Sequence, residues 1–214
     1  TKILYDKNTK KATGVQVLDA ETNMTYEYFS KIVFLNASAL NSAWVLMNSA
    51  TDIWPEGLGS SSGELGHNIM DHHYNLGASG KVEGFEDKYV YGRRANGFYI
   101  PRFTNIGSDT TKRNFLRGYG FQGGASRTGW SREIAELNIG SSFKEALTEP
   151  GEWTIGAGGF GEILPYHDNK ISLDKLVKDK WGLPVLSMDA VIRENELNMR
   201  KDILIEIKAM LENA

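Results

Sequence analysis

The chain has 214 residues, a formal net charge of −3 and no cysteine. That length allows one sizeable core or two small ones, and the near-balanced charge, without a long Lys or Arg run, argues against a nucleic-acid groove or an anionic membrane surface as partner. The missing cysteines exclude disulfides, thiolate zinc sites and cysteine nucleophiles, and leave cytoplasm and periplasm both compatible.

The first predicted elements are antiparallel strands. Ile3 to Tyr5, the polar turn Asp6-Lys7-Asn8, Gly14 to Leu18 and Thr25 to Phe29 alternate apolar and polar positions. Lys31-Ile32-Val33-Phe34-Leu35 is a continuous apolar run, expected of a strand buried on both faces. Small residues from Asn36 to Ala39 then lead into a short, largely buried helix over Leu40 to Met47, which completes a βα unit. From Trp54 to Gly66 the chain is rich in Pro, Gly and Ser and reads as a loop, followed by a short segment, Leu65 to His73, and a boundary near Tyr74.

Between Leu76 and Gly161 glycines and aromatics recur, with strands predicted at Phe98 to Ile100, Phe115 to Phe121 and Trp153 to Ala157. A helix broken at Gly140 is predicted over residues 132–147. A strand pair around Ile171 to Leu173 and Pro184 to Met188 precedes a final helix, Glu194 to Leu211, with Leu197, Leu204, Ile207 and Leu211 on its apolar stripe. No internal repeat, low-complexity tract or membrane-length apolar run is present. The entry at Thr1 directly into a strand and the stop at Ala214 just after a helix read as the ends of a piece cut from a longer protein.

Three places carry chemistry. The small-residue turn from Asn36 to Ser42 lets a dinucleotide approach the backbone, with helix-start amides facing a polar or anionic group; the same residues serve close strand–helix packing equally well. Gly63 to His73 holds three histidines and two acids in eleven residues. A metal reading would need His67, Asp71 and His72 on one helical face and further ligands elsewhere, where only His167 remains, so no metal is assigned. Gly92-Arg93-Arg94, the Tyr99 to Phe103 segment and Arg117 to Gly124 mix arginines and aromatics with glycine, as a pocket wall or a plain twisted strand would. No Gly-x-Gly-x-x-Gly fingerprint, P-loop or nucleophile elbow occurs.

Several stretches, in order, resemble the glucose–methanol–choline family of flavin enzymes. Lys31 to Ser49 is similar to the family's second signature, with Ala43 where Pro or Ser is usual and Ala50 where Gly is usual. Gly57 to Gly63 followed by Gly66-His67-Asn68-Ile69-Met70-Asp71-His72 looks like its Gly-x-Asn-Leu-x-Asp-His stretch. Phe160 to Pro165, Asp168 to Leu173 and Trp181 to Leu186 resemble substrate-domain strands of bacterial members.

The resemblance implies an α+β chain in which residues 1–75 are a remnant of an FAD-binding α/β domain, joined to a mainly antiparallel substrate domain with flanking helices over residues 76–214. It implies an FAD-dependent oxidoreductase acting on a CH–OH donor, a sugar or polyol, through hydride transfer to flavin. The family's catalytic histidine pair would lie beyond Ala214, so no catalytic residue is assigned here, and the piece alone is expected to be inactive and to bind FAD poorly. Ala37, Ser38 and Ser42 would lie near the ADP half of FAD, and Asn68 and Asp71 would shape the loop joining the two domains. Tyr99, Arg102, Tyr119, Gln122 and Glu162 would face the substrate. The alternative from the residues alone is a non-catalytic carbohydrate- or ligand-binding module.

Overall fold

The structure, a computed structural model, describes residues 1–73, 75–89, 96–108, 113–127, 140–148 and 151–213. It combines helices with antiparallel strands, an α+β chain as the sequence predicts. Two compact units are present: Thr1–Met70 with Pro165–Val191, and Asp71–Leu164 with Ile192–Ala214. The return of residues 165–191 to the first unit is a feature that a single linear cut near residue 75 does not contain.

In the first unit, β1 (Lys2–Asp6), β2 (Lys11–Leu18) and β3 (Thr25–Phe29) form an antiparallel sheet in that order. Helix α1 (Ser38–Asn48) follows. Ser49, just after α1, is buried and ties the two elements together: its hydroxyl accepts from Ile3 N–H at 2.7 Å and donates to Val45 O at 2.6 Å. The hairpin of β9 (Lys170–Lys178) and β10 (Pro184–Asp189) is anchored by Trp44, whose indole N–H donates to Pro184 O at 2.7 Å. Gly66 has φ +85°, and a Cβ there would lie 2.2 Å from Met47 Cε and 2.6 Å from Ile171 O, so only glycine lets this loop close onto the hairpin.

One predicted element is absent. Lys31 to Leu35 forms no strand, and Ile32 and Phe34 are 67% and 83% exposed while Val33 and Leu35 are half-buried. The run is apolar on both sides, but among the described residues no neighbouring strand pairs with it, so one side stays in solvent.

The second unit is built on a five-stranded antiparallel sheet of β4 (His72–His73), β5 (Gly77–Val82), β6 (Phe98–Ile100), β7 (Tyr119–Arg127) and β8 (Trp153–Glu162). The order is β4-β8-β7-β6, with β5 also on β8. Helix α2 (Ser141–Thr148) occupies the end of the helical stretch predicted at 132–147, whose residues 132–139 lie outside the described residues, as do Tyr74 and Gly92-Arg93-Arg94. Helix α3 (Glu194–Glu212) packs on one face of the sheet.

The buried core comprises Leu76, Phe115, Tyr119, Phe121, Met199, Ile203 and Ile207. The apolar stripe of α3 is therefore Met199-Ile203-Ile207, next to the buried Glu196, and of the predicted stripe only Ile207 is buried: Leu197 and Leu204 are exposed and Leu211 half-buried. The cause lies in β8. Gly159 and Gly161 have no Cβ, and one added there would lie 2.3 Å from Ile203 Cγ2 and 2.5 Å from Met199 Sδ. The glycines thus admit these two side chains and set which face of the helix turns inward. Glu196 is buried at the third helical position. Burial pushes its carboxyl up, but N–H groups of Leu164 and Arg193 and the Asn195 amide outweigh that and hold it below the usual range.

Candidate functional site

Strand alternation sorts the second unit's sheet into two faces. Phe121, opposite Gly159, and Tyr119, opposite Gly161, point toward α3. The other face carries Gly120, Gln122 and Gly124 of β7, Gly156, Gly158, Phe160 and Glu162 of β8, Gly77 and Ser79 of β5, Tyr99 of β6 and His72 of β4. Its large side chains, Tyr99, Gln122, Phe160, Glu162 and His72, are all exposed. Its floor is mostly glycine, with the Tyr99 hydroxyl 3.6 Å from where a Gly120 Cβ would stand and the Phe160 ring 3.9 Å from where a Gly158 Cβ would stand.

Three of the substrate-side residues predicted from sequence come together on this face. Tyr99 and Gln122 are direct cross-strand partners, and Glu162 lies further along β8 opposite His72. Arg117, at the entry to β7, brings its Nε to 3.9 Å from Glu162 Oε2. Phe160, His72 and Arg117 were not assigned to the substrate from sequence, although Arg117 belongs to the predicted pocket-wall segment and the period-two pattern of β8 puts Phe160 on the same face as Glu162.

The other two residues predicted on the substrate side do different work. Tyr119 is 1% exposed and lies on the α3 face. Its hydroxyl donates to Asp202 Oδ2 at 2.5 Å, and Arg113 bridges Asp202 Oδ1 at 2.7 Å and Glu206 Oε1 at 2.9 Å. Burial and then the Asp202 carboxylate raise the phenol well above its ordinary range. Tyr119 and Gln122 are three residues apart on one strand and so cannot share a face. Arg102 spends its guanidinium on the carbonyls of Thr104, at 3.0 Å, and Asn105, bracing its own loop. Asn105 is buried, and its amide donates to the carbonyls of Phe115 and Arg117, each at 2.9 Å.

In the first unit, Ala37 caps α1 without a side-chain hydrogen bond, and Asn36, Ser38 and Ala39 are small and exposed. Ser38 has φ +64° and Ser42 is half-buried. The start of this helix therefore keeps first-turn N–H groups free of a side-chain cap. Asn68, with φ +59°, donates through Nδ2 to Glu64 Oε2. Asp71 accepts from His72 N–H at 2.7 Å. His67 stacks on His167 at 4.0 Å between ring centroids, and His167 Nε2 lies 3.7 Å from Glu64 Oε1. The segment is not helical, so His67, Asp71 and His72 do not share a helix face; among the described residues no group of three or more such side chains could hold a metal ion.

The first unit thus has an uncapped helix start and the second an open, glycine-floored sheet face. Residues 1–74 match the family model of the GMC oxidoreductase. The 2-methyl-1,2-propanediol dehydrogenase of Mycolicibacterium austroafricanum is 29% identical over 203 residues, a match that covers 91% of this chain and 35% of that protein. The chain thus spans about a third of the length of the curated relative it matches. Both matches are to oxidoreductases, one a family model over the first 74 residues and one a curated dehydrogenase along most of the chain.

Proposed function

We propose that this chain is part of an FAD-dependent oxidoreductase that oxidises the CH–OH group of a small polyol or sugar, with the open sheet face of the second unit receiving the alcohol. The observation that carries the reading is that face: exposed Tyr99 and Phe160 offer apolar surface to a carbon skeleton, and Gln122, Glu162, His72 and Arg117 offer donors and acceptors to hydroxyls, over a floor where glycine leaves space. The relative named above acts, by its name, on a vicinal diol, which puts small diols among the first substrates to try.

In this reading the first unit carries Ala37, Ser38 and Ser42 toward the ADP half of FAD, and Asn68 and Asp71 shape the segment between the cofactor and substrate regions. Bound flavin would accept the hydride. The residues of this chain bind and orient the alcohol: Gln122 and Glu162 hold hydroxyl groups, the aromatic rings exclude water from the carbon skeleton, and the glycine floor lets the ring or chain lie flat. None of these residues is assigned as the base.

The test is the visible spectrum of the whole enzyme carrying this segment, recorded anaerobically before and after a polyol or aldose is added. Flavin bands that bleach on addition support the reading. A colourless protein that takes up no FAD would make the face a non-catalytic ligand-binding surface, and a yellow protein bleached by no alcohol would place the chemistry on another donor.

A further inference from the structure

We infer that Arg117 and Glu162 form a positioning pair that selects alcohols carrying a second, adjacent hydroxyl, that is, vicinal diols and polyols over mono-alcohols. The inference rests on the alcohol-oxidising reading given above. Its starting point is a distance. Arg117 Nε stands 3.9 Å from Glu162 Oε2, on the open face, whereas a direct charge-assisted bond closes to about 2.7–2.9 Å. The pair is in electrostatic reach but not joined. A hydroxyl oxygen about 2.8 Å from each atom fits between them, accepting from the guanidinium and donating to the carboxylate.

One hydroxyl uses only part of what the pair offers. The guanidinium keeps further N–H donors in a fixed fork and Glu162 keeps a second oxygen, which together match the oxygen on the adjacent carbon. A mono-alcohol leaves these groups to water. The carbon skeleton then rests toward Phe160, whose cross-strand partner Gly120 has no side chain and is flanked by the Tyr99 hydroxyl, 3.6 Å from where a Cβ would stand.

Arg117 is held for this task. Its φ is +69°, a conformation that L side chains rarely adopt. It persists because the buried Asn105 amide grips the Arg117 carbonyl together with that of Phe115, and Arg102 in turn fastens the loop that carries Asn105. Glu162 sits at the end of β8 with its backbone in the ladder to His72. Strain on a non-glycine residue, a buried clamp that maintains it and a loosely paired exposed guanidinium converge on one position, which a plain surface ion pair would not require.

The test compares Arg117→Gly with wild type in the flavin-loaded whole enzyme, using 1,2-propanediol and 1-propanol. Glycine suits the positive φ, so the variant should melt no earlier than wild type. Loss of hydrogen bonds to a charged group predicts that the ratio of kcat/KM for the diol to that for the mono-alcohol falls about tenfold, with the change in the diol's KM rather than in kcat. The isosteric Glu162→Gln should move the ratio the same way, and decides the matter should the glycine variant melt early. A ratio unchanged in the folded variants overturns the inference and leaves the oxidoreductase reading standing. A wild-type enzyme that oxidises neither alcohol, nor any other, overturns both.

Discussion

Replacing Tyr119 by Phe separates a structural role from a binding role at a position the sequence assigns to the substrate. The phenyl ring would keep its packing, edge-on to Phe121 at 5.5 Å and to Phe103 at 5.7 Å between centroids. Only the hydroxyl is lost, and with it the 2.5 Å bond to Asp202. Bonds to charged groups contribute about 1.5–3 kcal/mol. Asp202 retains Arg113 on its other oxygen and its side chain is 14% exposed, so water partly replaces the lost donor and the lower end of that range, about 1.5 kcal/mol, applies. With a urea m value of about 2 kcal/mol/M, the unfolding midpoint should fall by about 0.75 M, while KM for the alcohol in the whole enzyme stays the same. An unmoved midpoint together with a raised KM would refute the reasoning and put the hydroxyl on the substrate after all.

Two further predictions concern the same unit. His73 is buried with neither ring nitrogen hydrogen-bonded in good geometry. Burial first and then the positive charge of Arg200 hold its imidazole below the ordinary 6.5, with Glu196 and the Glu162 backbone pulling weakly the other way. The unfolded chain therefore takes up this proton near pH 6.5 while the folded chain resists it, so stability should fall as pH drops from about 7.5 to 5.5. That window lies above the range where Glu196, whose carboxyl is held low, begins to lose its own contribution. Urea midpoints for His73→Leu should lose this slope, and an unchanged slope would assign it to another group. Gly159→Ala would set a methyl 2.3 Å from Ile203 Cγ2 and should destabilise by about 1–3 kcal/mol, read as a lower melting temperature; a neutral result would mean that α3 is free to shift.

The sequence was most legible where local pattern and final pairing agree. The alternation in Ile3 to Tyr5, Gly14 to Leu18 and Thr25 to Phe29 marks β1 to β3, and the turn from Asp179 to Leu183 separates β9 from β10. It was least legible where tertiary partners decide. Gly77-Ala78-Ser79-Gly80 has little strand propensity and becomes β5 only because β8 supplies its ladder. The strand expected over Phe115 to Phe121 begins at Tyr119 because Asn105 draws the carbonyls of Phe115 and Arg117 out of any ladder. On α3, two interleaved apolar stripes are present, and the glycines of β8 chose between them. For the site, aromatic, Arg and Gly composition pointed to β6, β7 and β8, and of the residues named from it Tyr99, Gln122 and Glu162 share the open face. Tyr119 was misplaced because composition does not count parity, whereas a step from 119 to 122 changes face. The Asn105 clamp left no sequence signal beyond an Asn before Gly107, since its partners lie ten and twelve residues away.

The most direct test of the central claim is to block the open face and watch the flavin. A Cβ on Gly158 would meet nothing closer than 3.6 Å, so Gly158→Leu should fold normally while its side chain covers the glycine floor beside Phe160. Under anaerobic mixing of the whole enzyme with a subsaturating polyol, the account predicts unchanged flavin content and bleaching slowed about tenfold or more, an effect that weakens as polyol concentration rises. Bleaching at the wild-type rate in the folded variant would show that the alcohol does not use this face.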